Sequence, residues 1–147
     1  MNRRLKFFVF IIGVAAGAVT AVVLLSRGRD TGSVRIGPEE TLEAFCRTMA
    51  AGKFQAAEEF CDTLTMKEHL MKYRQTWDEL EQKDSGVLAI ASGMLESSEI
   101  IMEQTVKNGD TREIHYTIKF GEDNISKVAS MRKEEGEWKI ERITDRN

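Results

Sequence analysis

Few residues in this chain have types and spacings that could do chemistry. The only histidines are His69 and His115, and the only cysteines are Cys46 and Cys61. No His-x-x-x-His or Cys-x-x-Cys pair occurs, so neither a metal nor a cofactor is expected. No motif marks the nucleophile of a Ser/His/Asp triad. His69 falls outside the apolar helical stripe around it and reads as a solvated helix residue. His115 falls on the strand face opposite Tyr116 and reads as facing solvent. Cys46 and Cys61 each lie on the apolar side of one of two consecutive helices that fold back at Gly52. In an oxidising compartment a single bridge would close that loop, worth about 3 kcal/mol in the chain-entropy view. Otherwise they are two buried thiols of a kind common in any core. The mixed run 132–137 reads as a solvated turn.

The elements that must hold these residues fall into two parts. Residues 7–25, FFVFIIGVAAGAVTAVVLL, begin at Phe7, end at Leu25 and carry no charge. That is close to the roughly twenty apolar residues that span a bilayer as a helix. A basic tail, 1–6, precedes it. Arg3, Arg4 and Lys6 also suit a secretory signal, but a signal's apolar core is usually about seven to fifteen residues, and this run is longer. The first cysteine is far downstream, which excludes a lipoprotein anchor. An uncleaved membrane span through Phe7 to Leu25 is therefore expected, with secretion after cleavage as the alternative. Basic residues on the far side, Arg27, Arg29 and Arg35, nearly balance those before the span. The N-terminal charges sit closer to it and the domain follows it, which places the domain outside the cytoplasm. Residues 26–37 are rich in Gly, Ser and Arg and read as a flexible tether.

Residues 38–147 are then one water-soluble domain of ordinary size. The whole chain has a net charge of −3, but Met1 to Gly37 carries six Lys/Arg and one Asp, so the domain holds −8. Such a domain repels phosphate backbones and excludes nucleic acid as a partner. It also stands off an anionic lipid surface.

Within the domain, Gly37-Pro38-Glu39-Glu40 is a helix start, with proline at the first position and carboxylates at the positive end of the dipole. Leu42, Phe45, Cys46 and Met49 follow at helical spacing, and Gly52 ends the helix. A short helix over 53–61 turns Phe54, Ala57, Phe60 and Cys61 to one side. Thr65 and Glu68 match a capping box for a long helix whose face is Met66, Leu70, Tyr73, Trp77 and Leu80. That face reads as core against a sheet; a partner-helix seam is the alternative. Residues 87–95, VLAIASGML, read as a buried strand or a short helix. From Ser98 the period is two. Strands are expected over 99–106, 111–120, 125–132 and 138–143, with turns at Asn108-Gly109-Asp110, 121–124 and 134–137. Ile114, Tyr116, Ile118 and Phe120 point inward, and Glu113, His115, Thr117 and Lys119 outward. The fold class is α+β: three helices packed on an antiparallel sheet of at least four strands.

The opening GPEETLEAFCRTMAAGKFQAAEEFC, the ending EEGEWKIERI and the order of elements between them resemble the nuclear-transport-factor-2-like superfamily, the cystatin-like α+β cone. More narrowly they are similar to its bacterial membrane-anchored domains of unknown function. The resemblance implies a curved sheet closed into a cone, on the periplasmic side of the membrane. It implies Phe45, Tyr73, Trp77, Tyr116, Ile118 and Trp138 as the cavity lining, with the hydroxyls of Tyr73 and Tyr116 placed to orient a ligand or simply reaching the surface. Catalytic relatives use a carboxylate base inside the cone, and the pattern places none there. The expected function is a membrane-anchored binding module, not an enzyme, for a small apolar ligand or a partner protein. The alternatives are an isomerase- or dehydratase-type enzyme on the same fold and a domain that assembles as a homodimer.

Overall fold

The computed structural model describes residues 36–146. The basic tail, the apolar run 7–25 and most of the tether lie outside the described residues. No helix among the described residues is long and apolar enough to cross a membrane.

The first helix, α1, is Pro38–Ala50. Gly37 caps it in an extended conformation and Pro38 sits where no N–H is needed. Leu42, Phe45, Cys46 and Met49 are buried as their spacing requires, and so are Thr41, Ala44, Thr48 and Ala50. The helix is thus covered around most of its circumference. It ends where Gly52 adopts φ +73°. There the Lys53 N–H donates to the Thr48 carbonyl and the Gly52 N–H to the Met49 carbonyl, each at 3.0 Å. This is the Schellman arrangement that satisfies the last carbonyls of a helix. Trp77 leans over Gly52, and a Cβ there would lie 2.8 Å from the indole Cζ2.

The next helix, α2, is Phe54–Ala57 and runs on as a 3-10 turn over Glu58–Phe60. Cys61 then forms a parallel bridge to Ile140, and the Asp62 N–H donates to the Ile140 carbonyl at 2.9 Å. The helical layer is pinned there to the last strand. Helix α3 is Lys67–Lys83, and its stripe Met66, Leu70 and Tyr73 is buried while Trp77 and Leu80 are half-buried against the core. The expected Thr65–Glu68 capping box does not form. No side chain caps α3; the Asp62 carboxylate instead closes the turn before it, accepting from the N–H groups of Leu64 and Thr65 at 2.9 and 3.2 Å. An acidic side chain ahead of the turn outcompetes the hydroxyl inside it.

Residues 87–95 belong to a helix, α4, Ser85–Glu96. The Asp84 carboxylate caps it by accepting from the Val87 N–H at 3.1 Å. Leu88, Ala91 and Leu95 are buried at helical spacing, whereas Ile90 is exposed.

Four strands follow: β1 Glu99–Asn108, β2 Thr111–Phe120, β3 Asp123–Glu134 and β4 Glu137–Asp145. They form one antiparallel sheet in chain order. Register pairs Ile114 with Ala129, Tyr116 with Lys127 and Ile118 with Ile125. Bulges interrupt the register between Met102 and Gln104 and between Ser130 and Met131. Each turn is tighter than its residues suggest. Asn108 pairs with Thr111, so the first loop is Gly109-Asp110 with positive φ at Gly109 alone. This is the glycine-first pattern of a type II′ turn and not the expected Asn-Gly turn. The last loop is Glu135-Gly136, and both residues have positive φ, +51° and +85°. A type I′ turn demands that, and glutamate meets it at a cost.

Two substitutions follow. Gly52→Ala meets both the left-handed backbone and the indole, and should destabilise the domain by about 2 kcal/mol. Glu135→Asn relieves the strained position and should stabilise by roughly 0.5 kcal/mol. Urea titrations monitored by circular dichroism read both.

Candidate functional site

Most of the inward sheet face is apolar: Ile114, Ile118 and Phe120 on β2, Ile125, Ala129 and Met131 on β3, and Ile140 on β4. One band across it is polar. Period-two alternation brings Tyr116 inward on β2, and the register sets Lys127 beside it on β3. Helical spacing brings Cys46 down from α1 and turns His69 and Tyr73 inward from α3. Tyr116 is 1% exposed and Lys127 5%. An ammonium that deep needs a partner, and Asp145 at the end of β4 supplies one: Nζ donates to Oδ1 at 2.7 Å.

The Tyr116 hydroxyl neighbours Cys46, and burial pushes the thiol up to about 12. At neutral pH Cys46 is a thiol, not a nucleophile. Burial, then the neighbouring Cys46, holds both tyrosine hydroxyls well above their usual range, with Asp145 adding to the effect. His69 lies against Tyr73 with ring centroids 4.6 Å apart and planes tilted by 45°. Its Nε2 is buried without a hydrogen-bond partner. Burial, then the positive charge of Lys127, brings this histidine down to about 4, so it is neutral at pH 7. His69 is therefore not the solvated residue that its sequence position suggests. It extends the stripe 66, 70, 73 by one position.

The expected lining residues divide. Phe45, Tyr73, Tyr116 and Ile118 come together, but as parts of one packed core. Trp77 lies at the rim, over Gly52 and edge-on to Phe54 with centroids 5.7 Å apart. Trp138 lies at the other end of the sheet near the β3–β4 turn. The Arg112 guanidinium covers its ring at 4.7 Å and the Lys133 ammonium lies at 5.8 Å, both within cation–π range. Both tryptophans are half-buried and pack against the cluster that contains the tyrosines. Cys46 and Cys61 are free thiols over different strands, Cys46 at Tyr116 of β2 and Cys61 at Ile140 of β4. No bridge joins them. Cys61 donates weakly to the Glu58 carbonyl at 3.8 Å, and burial holds its thiol up at about 11. Among the described residues no group of three or more His, Cys, Asp or Glu is arranged to hold a metal.

The outward sheet face is built differently. His115 does lie there, with Nε2 2.8 Å from Glu113 Oε1 and Nδ1 3.5 Å from an Arg146 nitrogen. Arg146 reaches on across the sheet to an ion pair with Glu103 of β1. Glu103 accepts from the Thr117 hydroxyl at 2.7 Å, and Thr117 and Ser126 share a bond at 2.9 Å. The Thr117 bond, then Arg146, lowers the Glu103 carboxyl. Down the middle run the short side chains of Ser126, Val128 and Ser130, each half-buried. Neither Lys127 nor this ion-pair layer was foreseen. The signal for Lys127 was present, since it falls in phase with Ile125, Ala129 and Met131.

His69 makes the fold acid-sensitive. Its folded pKa lies below the unfolded 6.5, so the unfolded chain binds the proton first as pH falls. Its contribution is complete above about pH 6.5 and is lost progressively toward pH 4, for a total of at most about 3 kcal/mol. Denaturation midpoints should fall over that window, and His69→Phe should flatten the decline. An unchanged slope in the variant would remove His69 as its source.

Compared with protein-family models, with curated proteins and with solved structures, the chain matches none.

Proposed function

We propose that the domain is a membrane-tethered binding module that docks a partner protein on its outward sheet face. The observation that carries this reading is the contrast between the two faces. The inward face is filled by its own side chains: Leu42, Met49, Tyr116, Ile118, Met131 and Ile140 all have exposures of 2% or less. Beside the Lys127–Asp145 pair, its ionisable groups are an imidazole of lowered basicity, a protonated thiol and two protonated phenols. The outward face offers what a protein surface recognises. A shallow strip of short side chains on β3 is bordered by fixed charges, Glu103–Arg146 on one side and Arg132–Glu141, 2.7 Å apart, on the other. Fixed charges of both signs beside a low centre favour one docking register over others.

The four helices on a four-stranded meander are consistent with a cone of the nuclear-transport-factor-2-like kind, and the apolar run 7–25 supports a single membrane span with the domain outside the cytoplasm. The acidic domain would stand off the lipid surface with this face free. A second reading, a small-ligand or catalytic site, rests on the unpartnered His69 Nε2 beside Tyr73 and the Lys127–Asp145 pair.

Photo-crosslinking separates the two. A photoreactive residue replacing Ser130 or Arg142 on the outward face should capture one discrete protein in cells. The same residue at Glu68 or Gln75, both exposed on α3, should capture none. Equal capture from both faces, or capture from α3 alone, would overturn the reading. Docking on β3 and β4 should also be weakened by Arg142→Glu without loss of helical or strand signal.

A further inference from the structure

The sheet has two edges, and they are treated differently. The β4 edge is occupied where Cys61 bridges to Ile140 and Asp62 donates to its carbonyl. The β1 edge has no strand beside it among the described residues and is ten residues long. Natural sheets shorten or charge such edges because a row of free N–H and C=O groups invites another strand. Here the edge carries the sheet's two large exposed hydrophobics. Ile101 is 36% exposed and Val106 44%. Both face outward: Ile101 pairs with Thr117 and Val106 with Glu113, two outward residues of β2. The bulge between Met102 and Gln104 is what puts positions 101 and 106 on the same face, although five residues separate them.

We propose that β1 pairs antiparallel with β1 of a second copy of this chain, in the register that sets Ile101 opposite Val106 of that copy. The two-fold axis then falls between Glu103 and Gln104. Each Ile101 meets a Val106, twice per dimer. Met102 meets Thr105, Ile100 meets Lys107 and Glu99 meets Asn108, and every pair shares a face. No like charges oppose one another, and Glu103 is already engaged by Thr117 and Arg146 over the sheet. A register one residue shorter would set Ile100, which faces inward, against the outward Val106, and Glu103 against Glu103. The self-complementarity is therefore specific to one alignment. The edge of β1 meets the β3–β4 strip only at Glu103, and the cross-link at 101 and 106 and the capture from Ser130 or Arg142 read the two associations separately.

The test uses the full-length chain in detergent micelles. Chains carrying Ile101→Cys are mixed with chains carrying Val106→Cys under mild oxidation. A cross-strand pair lies within disulfide range, whereas two copies of position 101 would stand roughly 17 Å apart along the strand. The mixture should give a covalent dimer in about ten-fold excess over either variant alone. Native Cys46 and Cys61 are buried and do not compete. Equal yields in the mixture and the single variants, or no dimer in the mixture with circular dichroism unchanged, overturn the proposal. Val106→Lys, at an exposed position, should convert the sedimenting dimer to a monomer without lowering the melting temperature. A wild-type chain that sediments as a monomer at all concentrations also overturns it.

Discussion

The pairing of Lys127 with Asp145 is the constraint on which the rest of the sheet depends. An ammonium group on the inward phase of a central strand is tolerated only if a carboxylate reaches it. Asp145 does so from the next strand, which fixes where β4 must run and how far. Its chain neighbour Arg146 turns to the opposite face and ties Glu103 and His115. Two consecutive residues thus secure the sheet from both sides. Asp145 is itself half-exposed, so the pair contributes less than a fully buried one would. Its larger effect is on specificity: a slip of one residue along β3 would carry the ammonium to the outer face, away from Asp145, and turn Ile125 and Ala129 outward with it.

The same band explains why α3 sits as it does. A neutral histidine and two protonated phenols are the polar groups that can share space with a buried cation without adding net charge. His69 beside Lys127 is neutral because it is buried and because the cation repels a second proton. The cost of that arrangement is an orphaned ring nitrogen. Above and below the band the packing is ordinary, with Leu42 and Met49 of α1 and Ile114 and Met131 of the sheet almost fully enclosed.

Much of the fold was legible in the sequence wherever the period was unbroken. Residues 113–120 alternate in sequence, and all four positions read as inward are buried, although Thr117 between them is enclosed as well. The helix stripe 66, 70, 73 and the Gly52 terminus were legible for the same reason. Residues 87–95 were ambiguous because their apolar residues are small and nearly continuous, so neither period stands out. The first turn was misplaced by one residue because glycine, not asparagine, occupies the strained corner. His69 was set outside the stripe although it lies three residues after Met66 and four before Tyr73, and Lys127 was passed over although it falls in phase with Ile125 and Ala129. Of the six expected lining residues, Phe45, Tyr73, Tyr116 and Ile118 lie in the buried cluster, while Trp77 and Trp138 are half-buried against it. How such side chains fill or enclose space depends on their volumes in three dimensions, which one-dimensional spacing does not carry.

The two sulfur atoms have a chemical consequence of their own. Cys46 and Cys61 are both enclosed and both held in the protonated state, so an electrophile in solution finds no thiolate to attack while the fold is intact. Alkylation must wait for the backbone to open. Where alkylation outpaces reclosing, the rate at which these sulfurs disappear reports the frequency of spontaneous opening; at lower reagent it reports the open fraction. They make the domain its own clock for conformational lifetime, with one hand on α1 and the other on the hinge into β4.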